Sequence, residues 1–171
     1  MSSRIPAFLS VGVTHNEFQR IYAEKLINSL HEQGIILETL GRSFYSIKSP
    51  LDPIQKKMNE VFGAVILCME RYHSIEGIYK EGSLEEMIVK NQFFPTVWNH
   101  IEAAMAYQNK LPLLIMKEDK LISEGMLDSG IHQWTIVRIN PKDPNEILRY
   151  PIKGFIESWI EEVKKTYYKK I

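Results

Sequence analysis

Residues 63–69, GAVILCM, form an unbroken apolar run that leaves no polar face. Such a strand is typical of the interior of a parallel sheet, because helices cover both faces of that kind of sheet. Four further short apolar runs, separated from it and from each other by longer segments, lie at residues 6–13, 35–40, 111–116 and 134–139. The sequence therefore predicts five buried strands in one parallel sheet.

The segments between these strands carry helical signals. After the first strand, apolar side chains recur on one face at helical spacing, at Phe18, Tyr22, Leu26 and Leu30. Thr14 or Asn16 can cap the start of this helix, and Gly34 suits its end. Asp52 is the predicted cap of a second helix, with Pro53 at the first helical position. The alternation predicts an α/β fold, a three-layer flavodoxin-like sandwich in a single domain over residues 1–171.

One segment does not fit this alternation. Residues 70–97 form a long insertion between the third strand and the helix that follows it, and long insertions are usually functional or flexible. Residues 83–90, SLEEMIVK, are a candidate short helix inside it. The insertion is rich in apolar side chains, so we expect it to cover a pocket or to contact a second copy; they are Ile78, Tyr79, Met87, Ile88, Val89, Phe93 and Phe94.

Charge and composition limit the partners. Lys plus Arg and Asp plus Glu both number 21, so the net charge is zero, which argues against a nucleic-acid partner. Cys68 is the single cysteine, so no internal disulfide forms and a reducing compartment is expected. The N-terminal apolar stretch is too short for a signal peptide, and no apolar run reaches about 18 residues. We expect a soluble cytoplasmic protein with no membrane partner.

Ligands of open parallel sheets bind outside the carboxyl ends of the strands. The polar side chains, glycines and rings predicted at that edge follow the first three strands or open the next helix; they are Ser10, Gly12, Thr14, His15, Asn16, Gly41, Arg42, Ser43, Tyr45, Glu70, Arg71, Tyr72, Trp98, Asn99 and Glu102. Neither G-x-G-x-x-G nor G-x-x-x-x-G-K-[ST] occurs, so a Rossmann dehydrogenase or P-loop enzyme is not expected. The five histidines and Cys68 lack metal-ligand spacing, so no metal site is predicted.

Glu102 is the main catalytic candidate. A glutamate in the first two turns of a helix can simply be solvated and favour the helix dipole. Here its neighbours Ile101, Ala103 and Ala104 indicate a largely buried helix, and Trp98 lies four residues earlier on the same face. A carboxylate beside an aromatic ring suits N-glycosidic chemistry, in which it stabilises or attacks an oxocarbenium-like carbon. Trp98 could alternatively be a packing anchor beneath residues 70–97.

The order of these features resembles the Toll/interleukin-1-receptor (TIR) domain superfamily. The resemblance lies in the strand ending FLS at 8–10, the strand AVILCM, and the segment WNHIEAAMAYQNKLPLLIM, which contains W-x-x-x-E at Trp98 and Glu102. The glutamate of that motif is catalytic in NAD-cleaving members, so the resemblance implies that role for Glu102. Nucleoside 2-deoxyribosyltransferases are similar in the same region, with E-x-x-x-A matched by Glu102 and Ala106.

The resemblance implies cleavage of the nicotinamide–ribose bond of NAD, which is a substrate and not a cofactor, possible use in bacterial anti-phage signalling, and a homo-oligomer. The open alternatives are a (deoxy)nucleoside substrate and a non-catalytic TIR module that binds another TIR domain or a nucleotide. For a dinucleotide, phosphate donors are expected among Arg42, Arg71, the backbone at Gly12, and Thr14 or Asn16. Ser10, Tyr72, Trp98 and Asn99 complete the expected binding residues.

Overall fold

A computed structural model describes residues 4–40, 49, 51–130 and 134–170. Its strands are β1 Ile5–Val11, β2 Ile35–Glu38, β3 Ala64–Cys68, β4 Tyr72–Tyr79, β5 Met87–Phe94, β6 Leu113–Glu118 and β7 Ile136–Ile139. Its α-helices are α1 Glu17–Glu32, α2 Leu51–Glu60, α3 Val97–Gln108 and α4 Ile152–Lys170, and 3-10 turns occupy Gly125–Leu127 and Pro144–Leu148. No helix in these ranges combines the length and apolarity needed to cross a membrane.

Five strands form one parallel sheet in the order β2-β1-β3-β6-β7. This is the flavodoxin-like order, in which the chain adds strands first on one side of β1 and then on the other. The structure confirms the predicted α/β class, the five parallel strands and the three layers. The change of direction places a topological switch point between β1 and β3, where a crevice opens at the carboxyl ends of the strands.

The helices cover both faces of this sheet. On one face, α1 and α4 pack on side chains such as Leu9 of β1 and Leu67 of β3. On the other face, α2 and α3 pack on Phe8, Ala64 and Ile66. Successive residues of a strand point to opposite faces, so a strand covered on both sides must be apolar throughout. That requirement explains the uninterrupted run in β3, where all five residues are buried.

The helix caps follow the sequence in part. The side chain of Asn16 caps α1 by accepting the N–H of Gln19 at 3.0 Å, and Gly34 adopts a left-handed φ of 84° just after the helix. The prediction that Asp52 caps α2 was wrong. The helix begins earlier, at Leu51, whose N–H donates to the Ser49 hydroxyl at 3.2 Å. Asp52 is therefore the second residue of the helix and not the residue that precedes it.

The insertion at 70–97 contains a β-hairpin. Strands β4 and β5 pair antiparallel as a separate two-stranded sheet. The predicted short helix at 83–90 was therefore wrong, because Met87–Phe94 is a strand. Its β-branched and aromatic side chains favour an extended chain, and the turn before it is closed by left-handed residues, Lys80 at φ 50° and Gly82 at φ 79°.

Candidate functional site

A buried polar pair lies at the carboxyl end of β1. Ser10 and Asn99 are each 1% exposed, and the Asn99 Nδ2 amide donates to the Ser10 hydroxyl at 2.9 Å. Ser10 is the second-last residue of β1, and Asn99 belongs to the first turn of α3. This contact fixes the start of α3 at the carboxyl ends of the strands, next to the switch point.

One hydrogen-bond acceptor of this pair, the Asn99 side-chain oxygen, has no donor among the described residues. This oxygen, Oδ1, is buried. A buried acceptor without a partner costs about 1–3 kcal/mol, so such atoms usually meet a water or a ligand. The oxygen therefore marks a position where a donor from outside the described chain can be bound.

A small cavity lies at the same edge of the sheet. Its lining comprises Gly12, Val13, Gln19, Met69, Glu70, Arg71 and Thr96, and its volume is about 10 Å³. Gln19 is itself 3% exposed and its side-chain amide donates to the Glu70 carbonyl at 2.8 Å, which links α1 to the end of β3. A space of this size holds about one water molecule. A nucleotide would have to lie across the rim above it.

Glu102 lies on the same flank of α3 as Trp98. At 3.6 residues per turn, Glu102 lies about 60° around the helix from Asn99, and Trp98 lies about 100° to the same side. The Trp98 ring is half-buried and packs on the core cluster that holds Ile54 and Met58 of α2. Glu102 is also half-buried. The carboxylate and the indole therefore share one flank next to the buried Ser10–Asn99 pair.

The structure brings only part of the remaining predicted set to this edge. Gly12 adjoins Thr96, since a Cβ built on it would lie 3.5 Å from the Thr96 Cγ2 methyl, and Arg71 is exposed beside them. Thr14 is half-buried in the loop after β1. The side-chain oxygen of Asn16 accepts the capping hydrogen bond of α1. Tyr72 begins the hairpin and is 63% exposed. The predicted residues after β2 lie outside the described residues; they are Gly41, Arg42, Ser43 and Tyr45.

Sequence reasoning missed an ionic network beside the cavity. Lys120 forms ion pairs with Glu70, and with Glu118 at 3.4 Å. The Glu118 carboxylate also accepts the N–H of Glu70 at 2.8 Å. Because Glu70 follows β3 and Glu118 ends β6, these bonds tie the carboxyl ends of two neighbouring strands together. The available signal was the presence of an acidic residue at each strand end, with a lysine two residues beyond the second.

Lys117 is a buried cation near the end of β6. It is 4% exposed, and its ammonium donates to the Leu121 carbonyl at 2.6 Å and to the Ser123 hydroxyl at 3.0 Å. Burial lowers the pKa of Lys117 below its ordinary value, and the nearby charge of Arg138 acts in the same direction. The side chain therefore holds the loop after β6 at the expense of its own solvation.

This geometry predicts how the stability depends on pH. Because the pKa of Lys117 is lower in the folded protein than in the unfolded chain, its charged form weakens the fold below both pKa values. As pH rises through the folded-state pKa toward the ordinary lysine value, the buried ammonium loses its proton and the cost of burying its charge disappears. We expect the unfolding free energy of wild type, relative to Lys117→Met, to increase from neutral to alkaline pH. Urea denaturation of both proteins at several pH values measures it, and a constant or shrinking difference would contradict the prediction.

A second concavity lies at the opposite edge of the sheet. This groove has a volume of about 750 Å³ and lies between the amino ends of β6 and β7, the end of α3 and the face of α4 that carries Phe155, Trp159 and Glu162. Its floor includes Trp159, whose indole donates to the Pro112 carbonyl at 2.9 Å. Its size would suit a ligand. Open α/β sheets nonetheless bind ligands at the carboxyl ends of their strands, so the candidate site remains at that edge.

Known proteins add no assignment to this geometry. A comparison with protein-family models finds no match, and a search of curated proteins finds no significant match. In the ranges that the structure describes, no group of three or more His, Cys, Asp or Glu side chains is placed to hold a metal ion.

Proposed function

We propose that this chain cleaves the nicotinamide–ribose bond of NAD, with Glu102 as the catalytic carboxylate. The observation that supports the proposal most is the position of α3. Its first turns carry Trp98, Asn99 and Glu102, and its Asn99 is bonded to Ser10 at the carboxyl end of β1. A carboxylate is thereby held beside the switch point of a flavodoxin-like sheet, where such folds bind nucleotides.

The proposed reaction needs one negative charge close to the anomeric carbon. As the bond from that carbon to the nicotinamide nitrogen breaks, its electron pair leaves with nicotinamide and the ribose acquires oxocarbenium character. Glu102 stabilises that positive charge or bonds to the carbon transiently, and Trp98 offers a face on which an aromatic base stacks. Water then supplies a hydroxyl group and releases a proton, giving ADP-ribose; attack by a nitrogen of the adenine gives a cyclised product instead.

The diphosphate would lie across the rim above the small cavity. The backbone at Gly12, the hydroxyl of Thr14 and the guanidinium of Arg71 are proposed as donors to it. Arg42 is proposed as a further donor on the strength of its place after β2. The unpaired Asn99 oxygen could accept a hydrogen bond from a substrate hydroxyl or amide.

The phosphate assignment predicts a binding defect. We expect Arg71→Ala to weaken NAD binding by about ten- to a hundredfold, because a charged donor to phosphate contributes about 1.5–3 kcal/mol. Binding of free nicotinamide should be unchanged, since nicotinamide carries no phosphate. Titration calorimetry with both ligands measures this. Arg4→Ala is the matched control, because Arg4 is equally exposed but precedes β1 at the opposite edge. Equal NAD affinity in wild type and Arg71→Ala would contradict the assignment.

One experiment tests the reaction itself. The pure protein is incubated with NAD and, separately, with deoxyinosine plus free adenine, and both mixtures are resolved by chromatography. Release of nicotinamide supports the proposal. Base exchange in the second mixture would instead assign a nucleoside transferase, and no turnover in either would favour a binding module. A cytoplasmic role in anti-phage signalling is part of the same proposal, and it rests on the TIR resemblance alone.

A further inference from the structure

The β4–β5 hairpin has little support from the rest of the described chain. It is a two-stranded sheet of its own, and isolated two-stranded hairpins are marginally stable in water. Within the described ranges, its anchors lie at its base. There, Phe93 forms an isolated bridge with Leu121 and packs on the core cluster that holds Leu121, and the Lys120 ammonium lies 4.6 Å from the centre of the Phe93 ring. The remaining length of the hairpin needs another source of stability.

The hairpin also concentrates exposed apolar side chains. Of the 18 large hydrophobic residues that are exposed in the described part of the chain, seven lie between residues 72 and 88, and this density is typical of a contact surface. Ile75 and Ile88 are each 67% exposed. The full set is Tyr72, Ile75, Ile78, Tyr79, Leu84, Met87 and Ile88.

The two edges of the hairpin differ. The outer edge of β5 is already engaged near its end, because the N–H of Ile122 donates to the Phe93 carbonyl at 3.0 Å, and it is interrupted by Asn91, whose φ is 52°. The outer edge of β4 is continuous over Tyr72–Tyr79, and no strand in the described ranges pairs with it. An open edge of this length invites another strand.

We propose that β4 pairs antiparallel with β4 of a second copy of this chain, so that two hairpins form a four-stranded sheet. In an antiparallel ladder, two residues that face each other either both point their N–H and C=O groups toward the other strand or both point them away. When two copies of one strand pair, the two-fold axis therefore passes between two copies of the same residue, which face each other. Pairing about Glu76 would oppose two carboxylates. When Ile75 faces Ile75 of the second copy, residues 72–78 of both strands are paired. Glu76 then faces Ser74 of the second copy, and Tyr72 faces Ile78 of the second copy.

The charge of the hairpin favours a second copy of the chain over a membrane as its partner. The strand carries a single charged residue, Glu76, which is paired within the hairpin to Lys90 at 2.9 Å. Two copies of β4 therefore meet without opposed like charges when Ile75 is central. The turn carries Glu81, Glu85 and Glu86 against one lysine, Lys80, so an anionic lipid surface would repel it.

Cysteine cross-linking tests the proposed register. Ile75→Cys places two thiols opposite each other across the two-fold axis, within reach of a disulfide or a short bis-thiol reagent. The native Cys68 is fully buried and does not compete. Ile88→Cys is the matched control, because Ile88 is equally exposed but lies on β5. We expect Ile75→Cys to become a covalent dimer under mild oxidation and Ile88→Cys to remain monomeric on a non-reducing gel.

Light scattering of the untagged chain gives the second measurement. We expect wild type to have the mass of a dimer, and Ile75→Lys, which opposes two ammonium groups at the axis, to have the mass of a monomer. Ile88→Lys should stay dimeric. A monomeric wild type, a dimeric Ile75→Lys, or equal cross-linking of the two cysteine variants overturns the proposal, and a monomeric wild type would point to a different protein's strand as the partner. None of these readouts depends on NAD cleavage.

Discussion

Glu102→Gln is expected to lower the rate of NAD cleavage by about a hundred- to a thousandfold, the usual cost of removing one group that stabilises charge in a transition state. Glutamine keeps the size of the side chain but carries no negative charge, so it cannot stabilise a ribosyl cation or bond to it. Because Glu102 is only half-buried, the substitution should leave the melting temperature close to that of wild type. Nicotinamide release and thermal unfolding are measured on the same preparation.

The control for this substitution is Glu161→Gln. Glu161 is an exposed glutamate of α4, and α4 lies on the face of the sheet opposite α3, so its turnover should equal that of wild type. Wild-type turnover in Glu102→Gln would remove Glu102 from the site. A large fall in melting temperature together with lost turnover would instead assign Glu102 a role in folding.

The parallel sheet could be predicted from sequence because its physical cause is local. A strand covered on both faces is apolar at every position, as β3 is, and this pattern needs no knowledge of its neighbours. The Asn16 cap is local in the same way, since it depends on a side chain and an N–H three residues apart. The hairpin was not predicted. Its strands depend on pairing with each other across a turn, and the exposed apolar residues give no clear alternation.

The sequence could predict the edge of the sheet at which the candidate site lies, but not the contacts between its residues. Topology alone brings the ends of β1 and β3 and the start of α3 to one rim. The Ser10–Asn99 bond, by contrast, joins residues 89 positions apart, which no local pattern reveals. The buried Lys117 also gave no signal, because a lysine at the end of an apolar run usually extends into solvent. Such pairings depend on the packed tertiary structure.

Two tryptophans provide the second prediction, because the structure gives them different surroundings. Trp159 of α4 is 5% exposed and lies so close to the backbone that a Cβ at Gly63 would be 3.0 Å from its ring. We expect Trp159→Ala to lower the unfolding free energy by about 3–5 kcal/mol. The Pro112 carbonyl keeps a second hydrogen bond, from the N–H of Ala64 at 2.9 Å, so the lost free energy comes mainly from the cavity left by the ring.

Trp98→Ala is the matched comparison and should behave in the opposite way. Its ring is half-buried, so less apolar contact is lost and the fall in unfolding free energy should be smaller than for Trp159→Ala. If the ring stacks on a base of the substrate, turnover per folded molecule falls in Trp98→Ala and is largely restored in Trp98→Phe, which keeps an aromatic face. Urea denaturation and nicotinamide release, measured for all three variants, separate the two roles. Equal destabilisation by Trp98→Ala and Trp159→Ala, with unchanged turnover in the folded fraction of Trp98→Ala, would make Trp98 a packing residue and leave Glu102 without its proposed stacking partner.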